Sequence, residues 1–436
     1  MRAILDDRAR LQRMLDFEVA LARAEAAVGV IPALATDAIA AAARAERYDL
    51  KTLAQTALVL GTIATPVIEA LTSEVAKSDA AAAFYVNWGA SPQDLTDTAL
   101  VLELRAACDA LINDLSRAID AFMALAGRHR RTSMVARVAL QHTLPIPFGL
   151  KVAGCAAALA RSRDRLRRLR REALVLQFGG TAGTLSALNE RALDVSERLA
   201  ALLGLPLPDA PWHSHRDRLA EVASAFAILC GTCGKIGRDS MLLMQTEVGE
   251  AAEPARAVED GAAPLIHTRS PNAAAIALSA AAIAPSVAAG LLAAQGHEHE
   301  GGVSGSSTEW LGFSMLMQIT SGAVDATARI AEGLEIDSER MRVNLAMTRG
   351  QVMADAVSLA LGAKLGKAEA HGIVAEASRK ARSTKRELQD VLAEDDRVIL
   401  SLSVGELAKL FEPMASQGAA QLWIDHIAAS VQGRKR

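Results

Sequence analysis

Leu219, Val222, Phe226, Leu229, Cys233, Ile236, Ser240 and Leu243 recur at alternating spacings of three and four without a slip. That rhythm places all of them on one stripe of a helix, the seam of a long-helix bundle. Leu104, Cys108, Leu111, Leu115, Ile119, Phe122 and Leu125 form a second such stripe. A third long helix is predicted after Pro145 and Pro147, reaching about Val175. Helices of this kind exceed roughly 35 Å by rise alone, at ~1.5 Å per residue. Apolar residues lie on more than one of their faces, so other subunits are expected to complete the bundle.

Composition supports close helix packing. Of 436 residues, 51% are hydrophobic but only 3% aromatic, so Ala, Leu, Val and Ile fill the interior. Ala is the best helix former and takes little room. Flanking the bundle, amphipathic spacing predicts a helix over 7–28, ended by Gly29 and Pro32, and a short one over 36–47 capped by Thr36. Residues 391–399 read as an acidic loop. No internal repeat and no β region is read. The expected fold is all-α in three parts: a helical domain over 1–88, a long-helix domain over 89–344 and a small helical domain over 345–436.

The formal net charge of −3 excludes a global drive toward nucleic acid or anionic membrane. Asp6-Asp7-Arg8-Ala9-Arg10 follows Met1 closely, with no secretory apolar run, and a cytoplasmic protein is expected. The apolar run from Ala273 to Ala294 has membrane length, but Pro285 and Gly290 break it and polar segments flank it, so it reads as a buried core helix. Cys230 and Cys233 lie in a regular helix pattern and read as small buried thiols, since no second pair completes a zinc site. The arginines between Arg161 and Arg171 spread around a helix without interleaved aromatics, which fits a solvated or subunit-contact face better than phosphate binding.

Five polar islands interrupt the helical patterns. They are Gly89 to Asp94, Arg137 to His142, Trp212 to Asp217, the loop between Met244 and Ala275, and His297 to Glu300. The loop is longer than most connections between helices, and long loops are often functional. His213/His215 and His297/His299 are two His-x-His steps, so metal chemistry stands as an alternative.

With these islands in order, the sequence resembles the fumarase/aspartase superfamily and, within it, the bacterial 3-carboxy-cis,cis-muconate cycloisomerases. The resemblance rests on Asp7-Arg8-Ala9-Arg10-Leu11, Met14-Leu15-Asp16-Phe17-Glu18 and Gln93-Asp94 with Asp97-Thr98-Ala99-Leu100. It continues through Leu140-Gln141-His142, Leu176-Gln177-Phe178-Gly179-Gly180, Pro211-Trp212-His213 with Arg216-Asp217-Arg218, and Leu243 to Glu250. It implies a homotetramer with active sites shared between subunits, a small polycarboxylate substrate, no metal and no organic cofactor. In the implied reaction, a carboxylate of the substrate adds to a double bond of the same molecule and forms a lactone. A proton moved beside a carboxylate creates extra negative charge, which amides and cations stabilise.

His142 matches a family histidine and is the implied proton-transfer residue, with His267 on the loop as a second candidate. Ser91, Gln93, Arg137, Gln141, Arg216 and Arg269 are the implied substrate-binding residues. Each of them taken alone also reads as a cap or a structural ion pair. The family's loop serines, lysine and asparagine fall on Ala262, Ala263, Thr268 and Ser270, and a family threonine falls on Val138. These departures sit in the islands while the scaffold motifs are intact. They leave a different, less anionic substrate, or a catalytically inactive paralogue, as alternatives.

Overall fold

A computed structural model describes residues 1–254, 269–301 and 305–433. Among these residues the protein is dominated by helices, eighteen of them α-helical. The chain divides into two compact units. The first comprises Met1–Asp114, Ser162–Thr232 and Ser279–Val324; the second comprises Leu115–Arg161, Cys233–Leu278 and Asp325–Arg436.

The predicted long helices form as Pro92–Arg128, Phe148–Glu172 and Asp217–Met244, joined by Asn272–Ala293 and Gly305–Gly333. The first runs for 37 residues, about 55 Å at ~1.5 Å per residue. All eight residues of the Leu219–Leu243 stripe are buried. Gly149 allows the close approach that such packing needs, since a Cβ there would lie 2.6 Å from the Ala126 carbonyl oxygen.

In the first unit, the helix Asp7–Val28 buries Leu11, Met14, Phe17 and Leu21. Asp6 caps its start and Gly29, at φ 78°, ends it in the left-handed conformation. The next helix is Ala33–Ala42, beginning after Pro32 rather than at Thr36. Proline sets the backbone angle that a helix entry requires, which displaces the expected cap. In the second unit, Val357, Leu361, Ile373, Val374, Leu388 and Leu392 form the core of the C-terminal helices. The stretch read as an acidic loop is helical there: Leu388–Ala393 and Asp396–Ser401. Its apolar residues Val391, Leu392 and Val398 are buried, and that burial overrides the local charge.

The absence of any β region does not hold. Ser133–Val138 and Gln141–Pro147 pair as an antiparallel hairpin, and Ala251–Ala252 pairs with Glu335–Ile336. Val135 of the hairpin packs with Leu345, Val352 and Met353.

Two helices are long and apolar enough to cross a membrane by length and composition, Asp217–Met244 and Asn272–Ala293. The most apolar window of the first is 61% buried, that of the second only 28%. The run expected to be a core helix therefore keeps Ile276, Ile283 and Leu292 exposed on the single chain.

Candidate active site

The islands at Ser91 and Trp212 lie in the first unit. Ser91 precedes the helix Pro92–Arg128. Its backbone N–H donates to Asp94 Oδ2 at 2.8 Å, and its Oγ accepts from the Asp94 N–H at 3.1 Å. This is the reciprocal pattern of a capping box, with proline in the first helical position. Asp94 also accepts from the N–H groups of Gly179 and Gly180, at 2.9 and 2.8 Å, and from Gln177 Nε2 at 3.1 Å. Burial raises the Asp94 pKa against these donors. The Gln177-Phe178-Gly179-Gly180 motif thus has a physical task. It wraps the carboxylate that fixes the Ser91 turn.

Gln93 is half-buried, and its Nε2 donates to the His213 carbonyl at 2.7 Å and to Asp97 Oδ2 at 3.2 Å. Arg216 is 2% exposed. It donates to Asp97 through Nη1 and Nη2 at 2.6 and 2.8 Å, to Glu309 through Nε at 2.8 Å and through Nη2, and to the His213 carbonyl. All five of its N–H groups therefore have acceptors within the chain, and its guanidinium lies 4.9 Å from the Trp212 ring centroid. His213 is buried with Nε2 unpartnered, and both ring nitrogens of His297 are buried without a partner.

The island from Arg137 to His142 lies in the second unit and forms the hairpin. Arg137 and His142 are register partners across the two strands. The register shifts between Val135 and Arg137, and Thr143 Oγ1 donates to the Ala136 carbonyl that this shift leaves over, at 3.1 Å. Ala139 and Leu140 turn the chain at φ 49° and 62°, with Leu140 exposed. Gln141 is exposed and His142 is half-buried. Burial, and then the charge of Arg137, push His142 below the ordinary histidine value, while Glu250 opposes them. The imidazole is thereby biased toward its neutral form.

Arg137 is held by Glu250 in a two-point pair, Nη1 to Oε2 at 2.8 Å and Nη2 to Oε1 at 2.7 Å. Asn344 Nδ2 donates to the same Glu250 carboxylate at 2.8 Å. Glu250 is fully buried, so its negative charge is matched by Arg137 and by a side-chain amide. Sequence reading placed Glu250 in a motif but missed its partnership with Arg137, because 113 residues separate them.

His267 lies outside the described residues, as do Ala262, Ala263 and Thr268. The flanks of that segment are held firmly. Glu253, 6% exposed, accepts from the N–H groups of Ala273 and Ala274 at 2.9 and 2.8 Å and so caps the helix Asn272–Ala293. Arg269 is exposed and pairs with Glu335. Among the described residues, no three His, Cys, Asp or Glu side chains gather with metal-ligand spacing.

The comparisons with known proteins agree with this scaffold. A family described as Lyase matches residues 1–275, and one described as Adenylosuccinate lyase C-terminus matches residues 350–427. A 3-carboxy-cis,cis-muconate cycloisomerase of Bradyrhizobium diazoefficiens is 55% identical over 99% of this chain and 96% of its own. Its counterpart from Pseudomonas aeruginosa is 46% identical over 98% and 94%. The crystal structure of the 3-carboxy-cis,cis-muconate lactonizing enzyme from Pseudomonas putida superposes with a TM-score of 0.94 at 42% identity, covering 100% of this chain and 97% of that one. The chain belongs to the lyases of the fumarase/aspartase superfamily, in the branch of the 3-carboxy-cis,cis-muconate cycloisomerases.

Proposed function

We propose that this protein is a 3-carboxy-cis,cis-muconate cycloisomerase, acting on a small polycarboxylate without a metal or an organic cofactor. In ring closure, a carboxylate oxygen of the substrate forms a C–O bond at one end of a C=C bond. The π pair moves toward the carboxylate attached to the other end, and that carbon then takes a proton. In the lactone-forming direction the protonated imidazole of His142 delivers this proton and is then recharged from solvent; in the reverse direction the neutral imidazole, the form its surroundings favour, removes it. The observation that carries the reading is the hairpin assembly: a half-buried imidazole held opposite Arg137, which Glu250 and Asn344 keep in place. Arg137 supplies positive charge near the reacting carboxylate, and Gln141 is exposed beside His142 to bind substrate. Ser91 and Gln93 present the turn before the long helix, where Arg216 acts as a positioning residue because its N–H groups are already engaged. His267 and Arg269 would contribute from the segment that aligns with the family's reactive loop. The three-part division at 88/89 and 344/345, a cytoplasmic location and a homotetramer with shared active sites complete this reading.

The test is a spectrophotometric assay with 3-carboxy-cis,cis-muconate. His142→Asn should lower kcat by ~10²–10⁴, the usual contribution of a positioned acid or base. In wild type, lactone-forming kcat/KM should fall as pH rises through a pKa below about 6.5, the ordinary histidine value, because only the protonated imidazole delivers the proton, and this limb should vanish in the variant. Wild-type-like turnover by His142→Asn would remove it from the mechanism. The replacements at Val138 and Thr268 favour a second reading, in which the substrate carries fewer carboxylates. Absence of carboxymuconate turnover, with simple dicarboxylates still raising the melting temperature, would favour that reading.

A further inference from the structure

Within the first unit, a cleft of about 490 Å³ opens among the helices Asp7–Val28, Ala33–Ala42, Pro92–Arg128 and Ala192–Leu203. Its apolar lining includes Val19, Ala20, Ala43, Leu102 and Leu203. Three guanidinium groups, those of Arg23, Arg44 and Arg105, share the cleft with one carboxylate, Asp16. Asp16 already accepts from Gln12 Nε2 at 2.9 Å. Arg105 is half-buried and donates only to carbonyls, Leu203 O at 3.0 Å and Gly204 O at 2.6 Å, at the end of the helix Ala192–Leu203. Arg23 and Arg44 are exposed at the mouth of the cleft, and among the described residues their side chains meet no acceptor. None of these groups takes part in the chemistry assigned to His142.

A volume of this order suits a small organic molecule. The lining is mixed, with the apolar patch of Val19, Leu102 and Leu203 beside the arginines, which offer the planar, two-point geometry that carboxylates accept. Three positive charges against one negative leave the cleft two charges short of neutral. We propose that it is an accessory binding site for a small organic carboxylate with an apolar body, separate from the substrate site.

Isothermal titration with benzoate tests this on three proteins: wild type, the Arg23→Ala/Arg44→Ala double variant and His142→Asn. Wild type should bind one benzoate per chain. The double variant should bind it at least ~10-fold more weakly, the scale of losing charge-assisted hydrogen bonds, while its melting temperature without ligand is unchanged. His142→Asn should bind benzoate as wild type does. Inorganic phosphate at equal ionic strength should bind more weakly than benzoate, since it leaves the apolar lining unused. Four outcomes would overturn the assignment: no benzoate binding, binding indifferent to the double substitution, binding lost in His142→Asn, or phosphate binding as tightly as benzoate.

Discussion

Arg137 and Arg216 both read in the sequence as clamps for a substrate carboxylate, and both meet carboxylates of their own chain. The difference between them is access. Arg216 is buried with every N–H engaged, whereas Arg137 keeps part of its side chain exposed on the hairpin beside His142. Two other residues carry a separate consequence. Glu18 and Glu25 are buried on the helix Asp7–Val28, and burial raises their pKa values to about 8 and about 9. Glu18 Oε2 accepts from the Asn87 N–H, but Glu18 Oε1 and both oxygens of Glu25 have no partner. Both groups are therefore protonated in the folded protein at neutral pH. The unfolded chain releases these protons near the ordinary glutamate value of about 4.3, so the folded state binds more protons above it. Stability from this source is complete below that pH and is lost as pH rises toward 9. Melting temperature should fall across this range, and Glu25→Gln should flatten the fall. An equally steep fall in Glu25→Gln would show that Glu25 is ionised in the folded state.

At the scale of elements, the hairpin is what sequence reading missed. Its turn uses Ala139 and Leu140 with positive φ, where two-residue hairpins normally carry Asn-Gly. Pro145 and Pro147 in the second strand also argue against a sheet interior. A two-stranded hairpin has edges enough to tolerate them, and Val135 anchors it through contacts with Leu345, Val352 and Met353, more than two hundred residues away. No local signal carries that information. A leucine in the left-handed region stores about 1 kcal/mol or more of strain, which is common near functional sites. Leu140→Gly should raise stability by roughly 1 kcal/mol, measured by denaturant unfolding. An unchanged or lower midpoint would mean that the turn is not strained. By contrast, the long helices were legible because their periodic stripes are local patterns repeated over many turns.

For the whole molecule, the helix Asn272–Ala293 poses the question. It contains no charged residue, and it leaves Ile276, Ile283 and Leu292 exposed on one chain. Apolar surface of this extent normally marks an interface. Light scattering should give the mass of four chains. Ile283→Glu should shift the distribution to smaller species and lower activity, because the proposed active sites are shared. A wild-type monomer would contradict the assembly, and an Ile283→Glu tetramer would place the interface elsewhere.

The sequence alone determined the helical class, the long stripes and the superfamily, since each is written in local spacing or in ordered motifs. It also named Arg137, Gln141 and His142 as candidates. Only the tertiary structure decided which charges are satisfied and which are available. It joined Arg137 to Glu250 across 113 residues, closed Arg216 between Asp97 and Glu309, and set His142 opposite Arg137 on a hairpin. Pairing and burial arise between segments far apart in the chain, and they set the charge state and reach of each side chain. Residue type and spacing do not contain that information.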